Sequence, residues 1–593
     1  MMSNPLPPQF IILLGGLLIP FLKGKARLVY MLALPAFAFF NYLSLEEGIY
    51  WTSSFMNFEL VFGRVDKISL IFINVFIIVT AIAVIYNSHV KERLEHFSGF
   101  LYAGSAMGVI LAGDLITFFV FWELLTVGAA FLILVRKSAT SMGAALRYLL
   151  VHVLGGLILL AGIILHINET GSAAFTAIGL DSVASYLIFF GFGVNCAWPI
   201  LHSWLSDSYP ESTVGGIVFM ATFTTKAAIY ALMRGFPGEP SLIWIGVGMA
   251  TFPIFYAVIE NDLRRVLAYS LINQVGFMVV GIGIGTGLSM NGSAAHVYSD
   301  ILFKGLLFMS VGAVMHQTGG KAKATELGGL FRCMPFTGVC CIIGAASISA
   351  FPLFSGFVSK SIIMTAAAEG HHAIVWLALL FASAGVFHHA GIKIPFFVFF
   401  SHDSGIRVKE APMNMRIAMG ITAVACIAIG IFPNQTIYPL LPFDAPAYHP
   451  YTFAHIMAQS LLLLFSALAF TLLLTGGIYP AEIRSVNIDS DWFYRKGGKW
   501  AYILFDRTLN SLNAVAHKLL IAGTVSKLCQ IAKEGPAYIL TALLTPIWEL
   551  SGTPPDQREK LRENLNENIQ NGVFPIGITA CLSVVLLGIL FFF

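Results

Sequence analysis

The sequence predicts an all-α polytopic membrane protein, and three observations carry that expectation. Of 593 residues, 57% are apolar and only 11% are charged, where a soluble globular domain has about 25% charged residues. Apolar runs of spanning length, about 20 residues, recur from Phe10 to Leu474 and again at the C-terminus. These runs lack the two-residue alternation of barrel strands, which leaves helices to satisfy the backbone in lipid.

Composition also excludes function classes. A net charge of +3, with no basic patch interleaved with aromatics, gives no reason to expect nucleic acid as a partner. The seven cysteines (Cys196, Cys333, Cys340, Cys341, Cys426, Cys529 and Cys581) show neither metal-ligand spacing nor a disulfide framework. There is no phosphate-binding loop, no GxGxxG after a strand, no CxxC cluster and no CxxCH. No cofactor and no metal are therefore expected in this chain. The run from Phe10 to Leu22 lacks a preceding basic region and a small-residue cleavage site. It reads as a retained first helix rather than a signal peptide.

In chain order, spans are expected near 9–22, 27–44, 67–87, 97–112, 114–135, 145–166, 183–204, 213–233, 242–260, 265–286, 296–315, 335–368, 373–400, 415–433, 453–475 and 573–593. The first is short, and 335–368 is too long for one crossing. The basic residues Lys23, Lys25, Arg27, Lys91, Arg93, Arg136, Lys137, Arg264, Arg265, Lys321, Lys323, Arg332, Arg407, Lys409 and Arg416 follow alternate spans. The positive-inside rule then expects those loops in the cytoplasm and the N-terminus outside, in a multi-pass protein of the cell membrane. Arg64, Lys67 and Arg234 are exceptions.

Two spans are interrupted, at Pro199 in GFGVNCAWPILHSWL and at Pro352 and Gly356 in SISAFPLFSGFVSKSIIM. Proline frees a backbone carbonyl, which a membrane helix tolerates where it lines a polar cavity. Either break alone could be an ordinary kink. Two, five spans apart, suggest repeated halves with an ion site between them. The expected organisation is N-terminal helices (1–112), a first half-channel (113–234), a second (235–400), C-terminal core helices (401–485), a lateral amphipathic segment (486–572) and a final anchor (573–593). In the lateral segment, charged and apolar residues interleave at helical spacing from Trp500 to about Ile531. Pro536 and Pro546 bracket a piece, Ala537 to Leu544, too short to span.

Ionisable residues lie inside the spans. Glu123 sits in the middle of GDLITFFVFWELLTVGAAFLILV, and a charge at that depth costs at least about 2.5–3.5 kcal/mol. Lys226 is mid-helix in MATFTTKAAIYAL. His296, Asp300 and Lys304 follow at spacings of four, one turn apart on one helix face. Lys360 follows the Pro352 break, and His388, His389 and Lys393 lie in GVFHHAGIKIPFF. Arg147, His152 and His202 belong to the same half as Glu123. Each alone has a bland explanation: a lysine snorkels, a histidine packs. As a series they are tolerable along a hydrated mid-membrane axis, where buried acids and bases titrate nearer neutrality and pass protons.

The motifs FFVFWELLT, PILHSWLSDSYPESTVGGIVFMATFTTKAAIYALMRGF, ENDLRRVLAYSLINQVGFM, DILFKGLLFMSVGAVMH and AFPLFSGFVSK resemble the antiporter-like membrane subunits of respiratory complex I (NADH:quinone oxidoreductase), membrane-bound hydrogenases and Mrp-type cation/proton antiporters. The resemblance covers Asp66 to Gly405 and extends more weakly to the C-terminus. It implies fourteen core helices with two inverted five-helix repeats, each holding a broken helix. The tail after Ser485 resembles a lateral helix and a final transmembrane helix. The resemblance also implies that Glu123, Lys226, His296, Lys304 and Lys360 line the proton path. Two departures stand out. The family's seventh-helix Lys, expected before the proline, is Asn195, and its second eleventh-helix His is Asp300. Glu123 must then pair elsewhere, with Lys226 the nearest candidate, or stay protonated, and His388, His389 and Lys393 are additions of this chain.

The expected function is proton translocation, with sodium exchange left open, within a multi-subunit Mrp-type antiporter or a redox complex of the complex I or hydrogenase kind. The chain's own part in an enzyme is likewise open. The alternative is a non-conducting scaffold subunit. Expected partners are other membrane subunits, the lipid bilayer and the transported protons.

Overall fold

The computed structural model describes residues 6–477, 488–572 and 576–592, and the chain divides into two units, Met1–Asp491 and Trp492–Phe593. In the first unit α1 (Pro8–Gly16) and α2 (Gly24–Leu43) precede a hairpin of β1 (Gly48–Phe55) and β2 (Phe58–Val65). The hairpin was not among the sequence expectations. Its signal is the β-branched and aromatic run on either side of Met56–Asn57, where Met56 takes φ +53° to close the turn. The hairpin is tied to the helices: Val61 N donates to the Asp114 carboxylate at 2.7 Å. Asp114 also caps the next helix by accepting from Ile116 N and Thr117 N.

The succession continues with α3 (Lys67–Tyr86), α4 (Arg93–Leu111), α5 (Leu115–Leu134), α6 (Ala139–Thr170) and α7 (Val183–Cys196). Then come the short α8 (Ser203–Ser208) and α9 (Gly216–Met220), α10 (Thr224–Gly235), α11 (Pro240–Ile259), α12 (Leu263–Ile284), α13 (Gly287–Gln317), α14 (Pro335–Ile348) and α15 (Ser355–Glu369). Next, α16 (Ala373–Val386) passes through π turns and the single turn α17 (Lys393–Pro395) to Phe400. The unit closes with α18 (Met413–Ile431), the single turn α19 (Pro433–Thr436) and α20 (Phe453–Thr475). Among the described residues, eleven helices are long and apolar enough to cross a membrane. The most buried are α10, α12 and α13, which put the polar segments of the sequence at the centre of the bundle.

Both interruptions expected at prolines are present, and they have one geometry. Ala197–Trp198–Pro199–Ile200 joins α7 to α8, and Ala350–Phe351–Pro352–Leu353 joins α14 to α15. In each the alanine and the aliphatic residue after proline have positive φ: Ala197 +61° and Ile200 +74°, Ala350 +55° and Leu353 +76°. Left-handed backbone costs an L-residue about 1–2 kcal/mol, so surrounding packing holds both breaks in place. A third break, at Ala221–Phe223 between α9 and α10, has no proline to announce it; it divides the span expected at 213–233.

The basic exceptions have a local cause. Arg234 donates to both oxygens of Asp66 at 2.9 Å, and Arg64 approaches the same carboxylate at 3.3 Å. Asp66 meanwhile caps α3 through a capping box with Ser69. Arg64 and Arg234 are thus both engaged by one carboxylate inside the fold, an explanation that does not extend to Lys67.

The second unit is helical as expected but more continuous. α21 (Asp491–Ala516) leads through π turns (His517–Val525) into α22 (Ser526–Leu550), and α22 runs through Pro536 and Pro546 rather than stopping at them. The polar stretch becomes α23 (Pro555–Gln570), anchored by Arg558 to Glu549 at 3.0 Å. Apolar α24 (Ile576–Phe592) follows; the remainder of the expected 573–593 span lies outside the described residues.

Close packing of α11 on α12 depends on glycine. A Cβ at Gly276 would lie 2.5 Å from Ala250 N and 2.7 Å from the Gly246 carbonyl. The Gly276→Val substitution is expected to cost about 1–3 kcal/mol as overpacking. The measurement is the aggregation temperature of detergent-purified protein, which should fall; an unchanged value would contradict this packing.

Candidate functional site: a buried polar axis

The central feature is an ion pair. Lys226 Nζ, in the first turn of α10, lies 2.7 Å from Asp300 Oδ2 on α13, and both side chains are fully buried. The same ammonium donates to the Ala221 carbonyl at 3.0 Å, a group freed by the break between α9 and α10. Lys226, which the sequence offered as the nearest candidate partner for Glu123, therefore pairs with Asp300 and not with Glu123. An acid one turn from His296 on the facing helix takes it instead. Among the described residues Glu123 forms no ion pair, and its Oε1 has no hydrogen-bond partner. That oxygen presses on the backbone of α6, where a Cβ at Gly156 would overlap it. Asn195 is buried on α7 with neither amide atom hydrogen-bonded.

One turn from Asp300, His296 bridges three helices. Its Nε2 is 3.1 Å from Gln274 Oε1 on α12, and its Nδ1 is 3.1 Å from Ser359 Oγ on α15. Lys360, the next residue, donates to the Ile348 carbonyl at 3.0 Å and stands 4.8 Å over the Phe277 ring. Lys226 and Lys360 thus do the same thing: each ammonium faces carbonyls at the C-terminal end of the half-helix before it. That end carries partial negative charge, which favours a cation. The break between α7 and α8 differs, since the Val194 carbonyl, which already accepts from Ala197 N at 3.2 Å, also accepts the Trp204 indole N–H at 2.9 Å. A neutral donor stands there in place of a cation.

On the other side of Asp300, buried Lys304 reaches the Leu267 carbonyl at 3.5 Å. His389 is buried with neither ring nitrogen hydrogen-bonded. Lys393 donates to Ala257, Val258 and Glu260 carbonyls at 3.3, 2.7 and 2.7 Å. It caps the C-terminus of α11, a structural task the sequence did not reveal. Arg147 makes a two-pronged pair with Asp207, at 2.6 and 3.0 Å. His152 stacks on Tyr148 at 3.9 Å.

Sequence reasoning missed the neutral members. Tyr102 OH lies 2.6 Å from Thr224 Oγ1 and Tyr148 OH 3.3 Å from it, two residues before Lys226. With Gln274 and Ser359 these hydroxyl and amide groups fill the gaps between charges. They carry no expensive charge, so nothing in one sequence marks them. A half-open cavity of about 400 Å³ reaches Lys360, lined also by Ser361, Thr365, Glu369, His455 and Gln459. Its lining runs along α15 from Phe357 to Glu369.

Removing one member of a buried ion pair leaves the other uncompensated, at about 3–5 kcal/mol. Asp300→Leu alone is expected to lower the yield and thermal stability of the purified protein, and Lys226→Met/Asp300→Leu to recover most of the loss. Equal stability of the single and double variants would mean that the pair is not formed.

Residues 112–387 match the family model described as NADH:quinone oxidoreductase/Mrp antiporter, transmembrane. The chain is 28% identical over 493 residues to one of the subunits of the Na(+)/H(+) antiporter of Alkalihalophilus pseudofirmus, covering 72% of this chain and 61% of that one. It is 26% identical over 460 residues to hydrogenase-4 component B of Escherichia coli, covering 68% of this chain and 67% of that protein. The chain therefore spans about three-fifths of the length of the antiporter relative. In fold it resembles a chain of the membrane-bound sulfane sulfur reductase, an archaeal respiratory membrane complex, with a TM-score of 0.70 at 23% identity over 90% of this chain and 99% of that one. Residues 112–387, which contain Glu123, Lys226, His296, Asp300, Lys304 and Lys360, thus match the NADH:quinone oxidoreductase/Mrp antiporter transmembrane model, and the chain is a multi-pass membrane protein similar to antiporter-like subunits.

Proposed function

We propose that this chain moves protons across the membrane as one subunit of a multi-subunit complex. The observation that carries the proposal is the fully buried Lys226–Asp300 pair within a row of titratable groups. Placing and keeping two charges there is expensive, and a purely structural contact could be apolar.

In this proposal the two halves are residues 113–234 and 235–400, related as inverted five-helix repeats. The matched geometry of the breaks at Pro199 and Pro352 supports that relation. Lys226 belongs to the first half and Asp300 to the second, so the ion pair is their junction. A proton leaves Glu123, crosses the Tyr148–Thr224–Tyr102 hydroxyls and disturbs the pair. His296 with Gln274 and Ser359 carries the change to Lys360, and the cavity beside Lys360 is the exit. Lys304, His389 and Lys393 give the axis a branch toward the basic loops. Those loops are assigned to the cytoplasm and the N-terminus outside. Asn195 leaves the first half without the second cation of the family pattern, so charge movement is concentrated from Lys226 onward. Sodium exchange for the proton is compatible with the named antiporter relative.

A redox-driven setting has a specific observation in its favour. The likeness to the sulfane sulfur reductase chain covers 90% of this sequence, more than the first unit alone. The C-terminal unit then serves as a lateral connection to neighbouring membrane subunits.

Lys226→Ala, in the complex kept in native membrane vesicles, is expected to reduce proton movement about tenfold or more, read with a pH-gradient dye. Full transport by an assembled complex would end the proposal in favour of a scaffold. Glu123→Gln is expected to impair transport by a smaller factor; unchanged transport would show that Glu123 never releases its proton.

A further inference from the structure

A residue at the end of the first unit is docked back into its core. Asp489 Oδ1 and Oδ2 lie 3.0 and 3.2 Å from His202 Nε2, although the two residues are 287 apart in sequence. Tyr269 OH donates to Asp489 Oδ2 at 2.7 Å, and Ser490 N donates to Oδ1 at 2.6 Å. His202, Asp489 and Tyr269 are each more than nine-tenths buried. His202 is the residue just before α8, three after Pro199, so it stands at the first-half break. Its ring packs on Phe252 of α11 at 4.6 Å, and Tyr269 of α12 stacks on Tyr256 of α11 at 5.2 Å. The carboxylate is thus held where α8, α11 and α12 meet.

The hydrogen bonding fixes the chemistry. A carboxylate only accepts, so the proton of the neutral imidazole sits on Nε2. Nδ1 is then a free acceptor, and it is buried with no hydrogen-bond partner. A carboxylate that fixes the tautomer and ring orientation of an imidazole leaves the opposite nitrogen as the one acceptor it can present. Burial pushes the Asp489 carboxyl up, but hydrogen bonds from His202, Tyr269 and the Ser490 backbone outweigh it and hold the group below the usual carboxylate range. A depressed acid stabilises its contact above its unfolded pKa of about 3.9. The docking is therefore intact at neutral pH and is lost only as pH falls through the acid range.

We propose that His202 is a proton acceptor at the break between α7 and α8, and that Asp489 is the positioning residue that makes it one. Nδ1 takes a proton from a hydronium ion, which is left as water, giving an imidazolium whose Nε2–H stays on Asp489. The same proton leaves from Nδ1, and Asp489 remains ionised throughout. The first half thereby gains a titratable base at the break, where Asn195 and Trp204 are neutral. Asp491, two residues on, opens α21. Among the described residues, the charged and titratable groups around His202 are Asp489, Tyr269 of α12 and Tyr256 of α11. Glu260, Arg265 and the Arg147–Asp207 pair lie beyond them. This inference rests on the proton path proposed above.

The test uses the native complex in membrane vesicles, with proton movement followed across a range of pH. Asp489→Asn is expected to leave the complex assembled, to slow transport several-fold and to move the acid limb of the rate–pH profile down by about one unit, because an opposite charge beside the imidazole is lost. Asp489→Glu is expected to restore the profile. Tyr269→Phe, which keeps the carboxylate, is expected to move it little, and it reports on packing if Asp489→Asn fails to assemble. In that case Asp489→Glu, with a wild-type profile, against His202→Gln, with the limb abolished, decides the matter. A uniform loss of rate with an unmoved profile, or no change at all, overturns the inference. Lys226→Ala in the same vesicles separates the two claims: if it leaves transport intact, the path itself fails, whatever Asp489 does.

Discussion

Burying an ammonium and a carboxylate together at the centre of a helical bundle is the constraint around which this molecule is built. Lys226 and Asp300 are 2.7 Å apart with no exposure. Their attraction offsets the cost of desolvation only if the remaining hydrogen-bonding capacity is met nearby. The Ala221 carbonyl meets part of it, and that carbonyl is available only because the helix is broken at Ala221–Phe223. Charge and backbone irregularity are therefore one design. Where the chain carries a buried lysine beside a break, the break supplies the carbonyl that receives it.

The same logic distinguishes the halves. The breaks at Pro199 and Pro352 share their backbone angles, but Lys360 occupies the second and the Trp204 indole the first. Glu123, on the first-half side, has no ion pair among the described residues, and its Oε1 has no hydrogen-bond partner. At its proline break the first half thus presents a neutral indole, and its one axis lysine, Lys226, stands at the third break, while the second half places Lys360 at its proline break. The ion pair spans the boundary, so a change of protonation on either side alters the field felt on the other.

Much of this was legible in the sequence, for physical reasons. Apolar run length and proline position marked the spans and two of the three breaks, and the four-residue spacing of His296, Asp300 and Lys304 put them on one face. Charged residues in apolar runs are conspicuous because lipid makes them costly. What escaped lacks such a cost or depends on distant contacts. Tyr102, Tyr148, Thr224, Gln274 and Ser359 are ordinary residues of a helix interior until another helix is laid against them. The partner of Lys226 is 74 residues away by number and that of His202 lies beyond the last core helix, so neither pairing has a local signature. The hairpin before α3 was overlooked because strand alternation is a weak signal beside long apolar runs. The continuation of α22 through two prolines shows propensity yielding to the rest of an amphipathic helix.

The claim that this pair is a working part of a proton path, and more than a bolt between helices, is tested most directly by exchanging its members. The measurement is proton movement by the complex carrying Lys226→Asp/Asp300→Lys, in vesicles where assembly has been verified. The exchange keeps a buried ion pair but reverses its polarity toward Glu123 on one side and His296, Lys304 and Lys360 on the other. The account predicts an assembled complex whose proton movement is lost; an assembled complex that moves protons at the unmodified rate would contradict it.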